Sequence, residues 1–240
     1  MKLLLCSLAI FASVYSQKLP NYIVPCARNK PDFHQCCIDN GVKAIPYILK
    51  GDRAQRIPPL APLKLPKVAI EANNNFRITL TDLVVSGIDT VTLKDVVFDF
   101  DKNLIKVALM MDYLTVVAQY DIDGSLIVPL QGKGPANITS IRPYIEYEVD
   151  FSIVQKDGKE YMNVEKDRLQ LNSQEAYYQL DNLFGNPQLS AETNKILNEN
   201  AKDVGKELNG PITQTIRTIV TGLITGYLTR VPLDMIFLKE

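Results

Sequence analysis

Between Val68 and about Leu171, apolar residues recur at every second position. The clearest run is Ile141, Pro143, Ile145, Tyr147, Val149, Phe151 and Ile153, interleaved with Arg142, Tyr144, Glu146, Glu148, Asp150 and Ser152. Such alternation marks an antiparallel strand with one face buried and the other in water. At roughly 3.3 Å per residue a thirteen-residue run spans about 43 Å, longer than most strands. Ile105-Val107-Leu109-Met111-Tyr113 and Leu114-Val116-Ala118-Tyr120-Ile122 repeat the pattern, and the phase change at Tyr113/Leu114 predicts a bulge or bend there. Gly87, Asp123-Gly124 and Asp157-Gly158 are the turn signals between strands. Long curved strands of this kind wrap around another element.

That element lies at the C-terminus. Beyond Ser190, a candidate N-cap, Ile196/Leu197, Val204, Leu208, Ile212, Ile216, Ile219/Val220, Leu223/Ile224 and Tyr227/Leu228 recur at helical spacing. The stripe keeps its phase across Gly210-Pro211, which predicts one kinked helix of about forty residues, ~60 Å long. Its first half is charged on the outer face; its second half carries only Arg217 before Arg230, as expected of an enclosed helix. A shorter helix is predicted over residues 31–50, opened by Pro31, bent at Pro46 and stopped by Gly51. The four prolines of residues 57–66 predict an extended connector.

The start of the chain changes the setting. Met1-Lys2, the apolar run Leu3 to Val14 and the small residues around Ser16 read as a secretory leader cleaved after residue 16. The run is too short for a membrane-spanning helix, and no later stretch supplies a stable membrane anchor. Residues 17–240 then form a single extracellular domain. Removing Lys2 with the leader leaves 25 basic and 27 acidic side chains, a net charge of −2. That balance gives no basic patch for nucleic acid or an anionic membrane. Three cysteines remain, Cys26, Cys36 and Cys37, and only one of the adjacent pair can bond comfortably with Cys26. Asn137-Ile138-Thr139 is a glycosylation acceptor in a secreted chain.

Catalytic chemistry is hard to assemble from these residues. The lone histidine, His34, has no visible triad or zinc partners, and adjacent cysteines make poor zinc ligands in a compartment that favours disulfides. Gly132-Lys133-Gly134-Pro135 is followed by no helix and reads as a strand bend, not a phosphate loop. The acidic pairs Asp121/Asp123 and Glu146/Glu148 read as turn and solvent-face residues. No metal site, cofactor motif or catalytic set is expected.

At this point the chain resembles the insect takeout and juvenile-hormone-binding protein family over essentially its whole mature length. The features that carry the resemblance are Cys26 and Cys36, Lys50-Gly51, Ile57-Pro58-Pro59-Leu60-Ala61-Pro62-Leu63, Val85-Ser86-Gly87, Tyr120-Asp121-Ile122-Asp123-Gly124, Gly132-Lys133-Gly134, Asn182-Leu183-Phe184-Gly185-Asn186-Pro187, Leu197-Asn198-Glu199-Asn200 and Val231-Pro232. Ala61 departs from it, standing where the family pattern has an acidic residue. The resemblance implies an α+β, TULIP-like fold: a long C-terminal helix wrapped by a strongly curved antiparallel sheet, elongated, with an internal hydrophobic tunnel. It also implies a Cys26–Cys36 disulfide with Cys37 reduced, and carriage of a terpenoid, fatty acid or other lipophile.

The residues expected to line the tunnel are Val107, Leu109, Met111, Tyr113, Ile141, Ile145, Tyr147, Val149 and Phe151 on strands, and Ile216, Ile219, Val220 and Leu223 on the helix. Tyr147, then Tyr113, is the candidate polar handle, since a buried phenol seeks a partner; the alternative is that Tyr147 caps the core and bonds a backbone carbonyl. Two other readings stay open: an interaction or signalling protein with a filled core, and a secreted hydrolase whose nucleophile and base are not visible. No protein receptor is identifiable.

Overall fold

The computed structural model describes residues 19–72 and 75–239; the leader expected at 1–16, with Cys6, lies outside the described residues. A short strand β1 (Cys26–Ala27) precedes helix α1 (Phe33–Lys50). Strands β2 (Leu63–Ala72), β3 (Phe76–Ser86), β4 (Thr92–Asp99), β5 (Leu104–Met110), β6 (Tyr113–Ser125), β7 (Pro129–Ile141), β8 (Tyr144–Lys156), β9 (Lys159–Asn172) and β10 (Glu175–Leu180) follow. Helices α2 (Pro187–Glu199), α3 (Ala201–Leu228) and α4 (Leu233–Ile236) and strand β11 (Phe237–Leu238) close the chain.

The α+β class is as the sequence predicts. The antiparallel strands divide into a five-stranded sheet, β10-β7-β6-β3-β2, and a four-stranded sheet, β4-β5-β8-β9, while β1 and β11 pair in parallel. This division explains the phase change at Tyr113/Leu114, where the chain bends at Asp112 rather than bulging. The chain leaves the four-stranded sheet after Met110 and enters the five-stranded one at Tyr113, so a new face becomes the inner one. Register shifts fall instead between Thr81 and Val84, Leu93 and Asp95, and Asp150 and Phe151.

Several boundaries differ from the sequence pattern. Ile141 ends β7 and Pro143 lies in the link to β8, where Arg142 has a positive φ of 48°; the alternation runs unbroken through a change of strand. Ile153 and Val154, near the β8–β9 turn, are both exposed, so the alternation ends before the strand does. Asp157 and Gly158 turn that hairpin with φ of 52° and 73°, the left-handed pair a two-residue loop requires. Asp123-Gly124 is not a turn: both residues stay paired in β6, and Gly124 is needed because a Cβ there would collide with the Asn75 carbonyl. Leu63 to Pro66 already belong to β2, an edge strand, where a proline costs no ladder bond.

The C-terminal stripe divides into two helices at Asn200, and α3 runs unbroken across Gly210-Pro211 as the stripe's phase predicts. The N-cap of α2 is Asn186, not Ser190: its side chain accepts from the Gln188 and Leu189 N–H groups, with Pro187 at the first helical position. Ser190 is buried inside α2, where its hydroxyl donates to the Leu180 carbonyl at 3.0 Å. Nor is α3 enclosed along its second half: Gln214, Thr218 and Gly222 face water, and only Val204 and Leu228 are fully buried. Thr215 and Thr218 each return their hydroxyl to the carbonyl four residues back, so these polar positions need no charge.

Each sheet has its own core. Phe76, Ile78, Leu80, Tyr120, Ile122 and Leu130 of the larger sheet pack with Leu197 and Val204 of α2 and α3. Tyr147, Val149, Phe151, Met162 and Leu169 of the smaller sheet pack with Leu228, Leu233 and Phe237. Helix α3 spans both, setting Leu208 against the first core and Ile216, Val220, Ile224 and Tyr227 against the second. No helix among the described residues is long and apolar enough to cross a membrane.

Candidate functional site

The second core gathers most of the residues expected to line a tunnel. Tyr147, Val149 and Phe151 are buried in it, with Val107, Ile145, Ile216 and Val220 packed against it, half-buried. Strand register sets these positions: Tyr147 stands opposite Val107 on β5 and Leu169 on β9, and Ile145 opposite Leu109 and Leu171. Met111 is buried in the link between β5 and β6, its N–H bonded to the Pro143 carbonyl at 3.1 Å. Leu109, Ile141, Ile219 and Leu223 are half-buried and join neither core cluster. Tyr113 is 40% exposed at the start of β6, beside Gly87, so its phenol is not an interior group.

The inner face of α3 is unevenly closed. Its residues Ile216, Val220, Ile224 and Tyr227 recur at three- and four-residue spacing and touch the second core, yet each keeps part of its surface accessible. The sheet residues beneath, Val149, Phe151 and Met162, are almost completely covered. The seam between α3 and β9 is also open outward. A cleft of about 590 Å³ runs along Asp167, Thr218, Thr221 and Gly222, and a second of about 400 Å³ lies between Arg168–Asn172 and the Asn209–Gln214 stretch of α3. None of the predicted tunnel residues lines either cleft.

One polar relay joins this seam to the interior. The Tyr147 hydroxyl is 2.9 Å from Thr221 Oγ1, which donates to Asp167 Oδ2 at 2.6 Å and lies 2.7 Å from the Arg217 carbonyl. Threonine has a single hydroxyl hydrogen, and a carboxylate or carbonyl takes it, so Tyr147 is the donor to Thr221. Its partner is a side-chain hydroxyl rather than a backbone carbonyl, and its own hydrogen is committed. Burial raises the Tyr147 pKa above its ordinary value.

At one end of this core the disulfide and an aromatic group hold the termini together. Cys26 and Cys36 are bonded, and Cys37, buried and free, has its thiol pushed up to about 11 by burial. Phe100 packs edge-on against Phe151 and Phe237, with the Arg28 guanidinium 4.6 Å above its ring. Also near the end of α3 lie Gln55 and Tyr227, which sequence reasoning did not single out; Gln55 sits in a loop whose polar composition carries no signal of burial. Tyr227 was visible only as the last member of the helical stripe. Asn137, the glycosylation candidate, is exposed on the outer face of β7.

Residues 3–238 match the family described as haemolymph juvenile hormone binding protein. A "Putative beta-carotene-binding protein" from Schistocerca gregaria is 27% identical over 118 residues, 48% of this chain. The chain spans about half of that relative, 47% of its length. Takeout 1 of Epiphyas postvittana superposes with a TM-score of 0.79 at 23% identity, covering 89% of this chain and 99% of that one. The last likeness establishes the fold.

Proposed function

The chain belongs to the haemolymph juvenile hormone binding protein family, and from that premise we propose that it is a secreted carrier of an elongated lipophile. The ligand lies between the inner face of α3 and the four-stranded sheet. The observation that carries this reading is the half-open row Ile216, Val220, Ile224 and Tyr227, apolar surface that a filled core would have covered. Binding is driven by removing apolar area from water, at roughly 25 cal/mol per Å². Val107, Leu109, Met111, Ile141, Ile145, Tyr147, Val149, Phe151, Ile219 and Leu223 complete the proposed lining, and Tyr113 borders it from outside. The clefts along the α3–β9 seam offer the path by which the helix parts from the sheet to admit the ligand.

In this reading residues 1–16 are a cleaved leader, 17–240 one domain, and Asn137 carries a glycan. The ligand is a terpenoid, a fatty acid or a similar lipophile; the name of the Schistocerca relative adds carotenoid-like polyenes to that class. The protein performs no reaction on its cargo. Organic extraction of protein purified from a secreting cell, followed by mass spectrometry, should recover a lipophile near one equivalent. Recovery of none, together with no uptake of fluorescent fatty acids or terpenoids, would leave the filled-core alternative standing.

A further inference from the structure

We propose that the C-terminal end of α3 holds a head-group site, in which Tyr227 and Gln55 together receive a hydroxyl at the end of the lipophile. The proposal rests on the carrier reading and names the ligand chemistry that reading leaves open. Two buried side-chain atoms lack a hydrogen-bond partner among the described residues, the Tyr227 hydroxyl and Gln55 Oε1. Gln55 as a whole is only 6% exposed. Folded proteins pair nearly all such atoms, so two orphans in one neighbourhood call for a shared missing partner.

The neighbourhood is built deliberately. Arg230 donates through Nη2 to the Gln55 carbonyl at 2.9 Å and through Nε to the Gly226 carbonyl, tying the loop that carries Gln55 to the last turn of α3 beside Tyr227. Asp52 is already engaged: it accepts from the Tyr22 hydroxyl at 2.8 Å and from the Ala54 and Gln55 N–H groups. Tyr22 in turn stacks on Tyr47, with ring centroids 5.4 Å apart. These contacts hold the loop in place while leaving the two inner polar atoms free.

The chemistry of the pair selects the ligand. An amide oxygen only accepts, whereas a phenol both donates and accepts. A partner shared by both must donate to Gln55, and an alcohol or an undissociated carboxylic acid does so while its oxygen accepts from Tyr227. An ether, ester or epoxide only accepts and leaves Gln55 unpaired. The apolar approach is in line. Ile216, Val220 and Ile224 lead along one face of α3 to Tyr227, about 16 Å at 1.5 Å per residue.

The test uses the delipidated full mature chain and three probes of one length, dodecane, dodecyl methyl ether and dodecan-1-ol, measured by displacement of a fluorescent fatty acid. Wild type should hold the alcohol about tenfold more tightly than the ether or the alkane. Tyr227→Phe and Gln55→Met should each weaken the alcohol by about fivefold, the usual effect of one hydrogen bond. The ratio of alcohol to alkane affinity should fall by that factor in either variant, and an unchanged far-ultraviolet circular dichroism spectrum certifies that the variant is folded. Equal affinity of wild type for alcohol and alkane, or an alcohol preference that survives both substitutions, overturns the site. Failure of wild type to bind even dodecane overturns the carrier reading itself, and the site with it.

Discussion

Among single residues, Tyr147 shows how a sequence can identify a position without its hydrogen-bond partner. Its place in the inward row of β8 is legible from alternation alone, and it is buried as that row requires. Its partner is not legible, because Thr221 lies 74 residues away and meets it only when α3 folds onto the sheet. The structure makes Tyr147→Phe a stability change: loss of one internal hydrogen bond should lower the free energy of unfolding by about 1 kcal/mol in urea titration. An unchanged midpoint would show that the Tyr147–Thr221 bond contributes nothing. Cys37 gives a second residue-scale expectation. Burial raises its thiol to about 11, so the folded chain holds this proton more tightly than the unfolded chain does. The resulting stabilisation is complete below the ordinary thiol range and is lost as pH climbs through about 11. Between about pH 8 and about pH 10.5, wild type should therefore lose more stability than Cys37→Ala. Parallel losses in the two proteins would contradict the assignment.

At the scale of elements, the least expected feature is how α2 covers the edge of the larger sheet. Strand β10 is an edge strand whose outward backbone groups need partners. Asn194 accepts from the Leu180 N–H at 2.9 Å and donates to the Leu180 carbonyl at 2.8 Å. Asn198, one helical turn on, does the same for Tyr178, at 2.8 Å in each direction. Two side chains thus imitate a neighbouring strand. Asn194→Ala would strand the buried Leu180 N–H and should cost about 2–3 kcal/mol, read from the shift in urea midpoint; a cost below about 0.5 kcal/mol would show that the pairing is dispensable. The helical pattern reads Asn198 as part of the polar outer face, and the resemblance includes it in a motif, but its side chain turns to the Tyr178 backbone instead. Alternation revealed the long strands and helical spacing the long helix, because both depend on local periodicity. The division into two sheets, the break at Asn200 and the asparagine ladder depend on contacts between distant segments, and periodicity carries no trace of them. Strand β9 hides its core residues for a related reason: the register shift opposite Asp150/Phe151 moves Met162 and Val164 out of phase with Leu169 and Leu171.

For the whole molecule, two cores bridged by one helix make a body whose helix side is less tightly closed than its sheet side. The central claim is that a lipophile occupies that looser boundary rather than adhering to an outer surface. Photo-crosslinking with a diazirine-bearing fatty acid, followed by peptide mapping, tests this most directly, because the label reports where the chain of the ligand lies. Labelled residues should fall on the inner faces of α3 and β8, at positions such as Ile216, Val220, Ile224 and Ile145, and an unlabelled lipophile should compete the label away. Labels confined to exposed apolar positions such as Tyr47, Val154 and Ile196, or labelling that no competitor reduces, would contradict the claim.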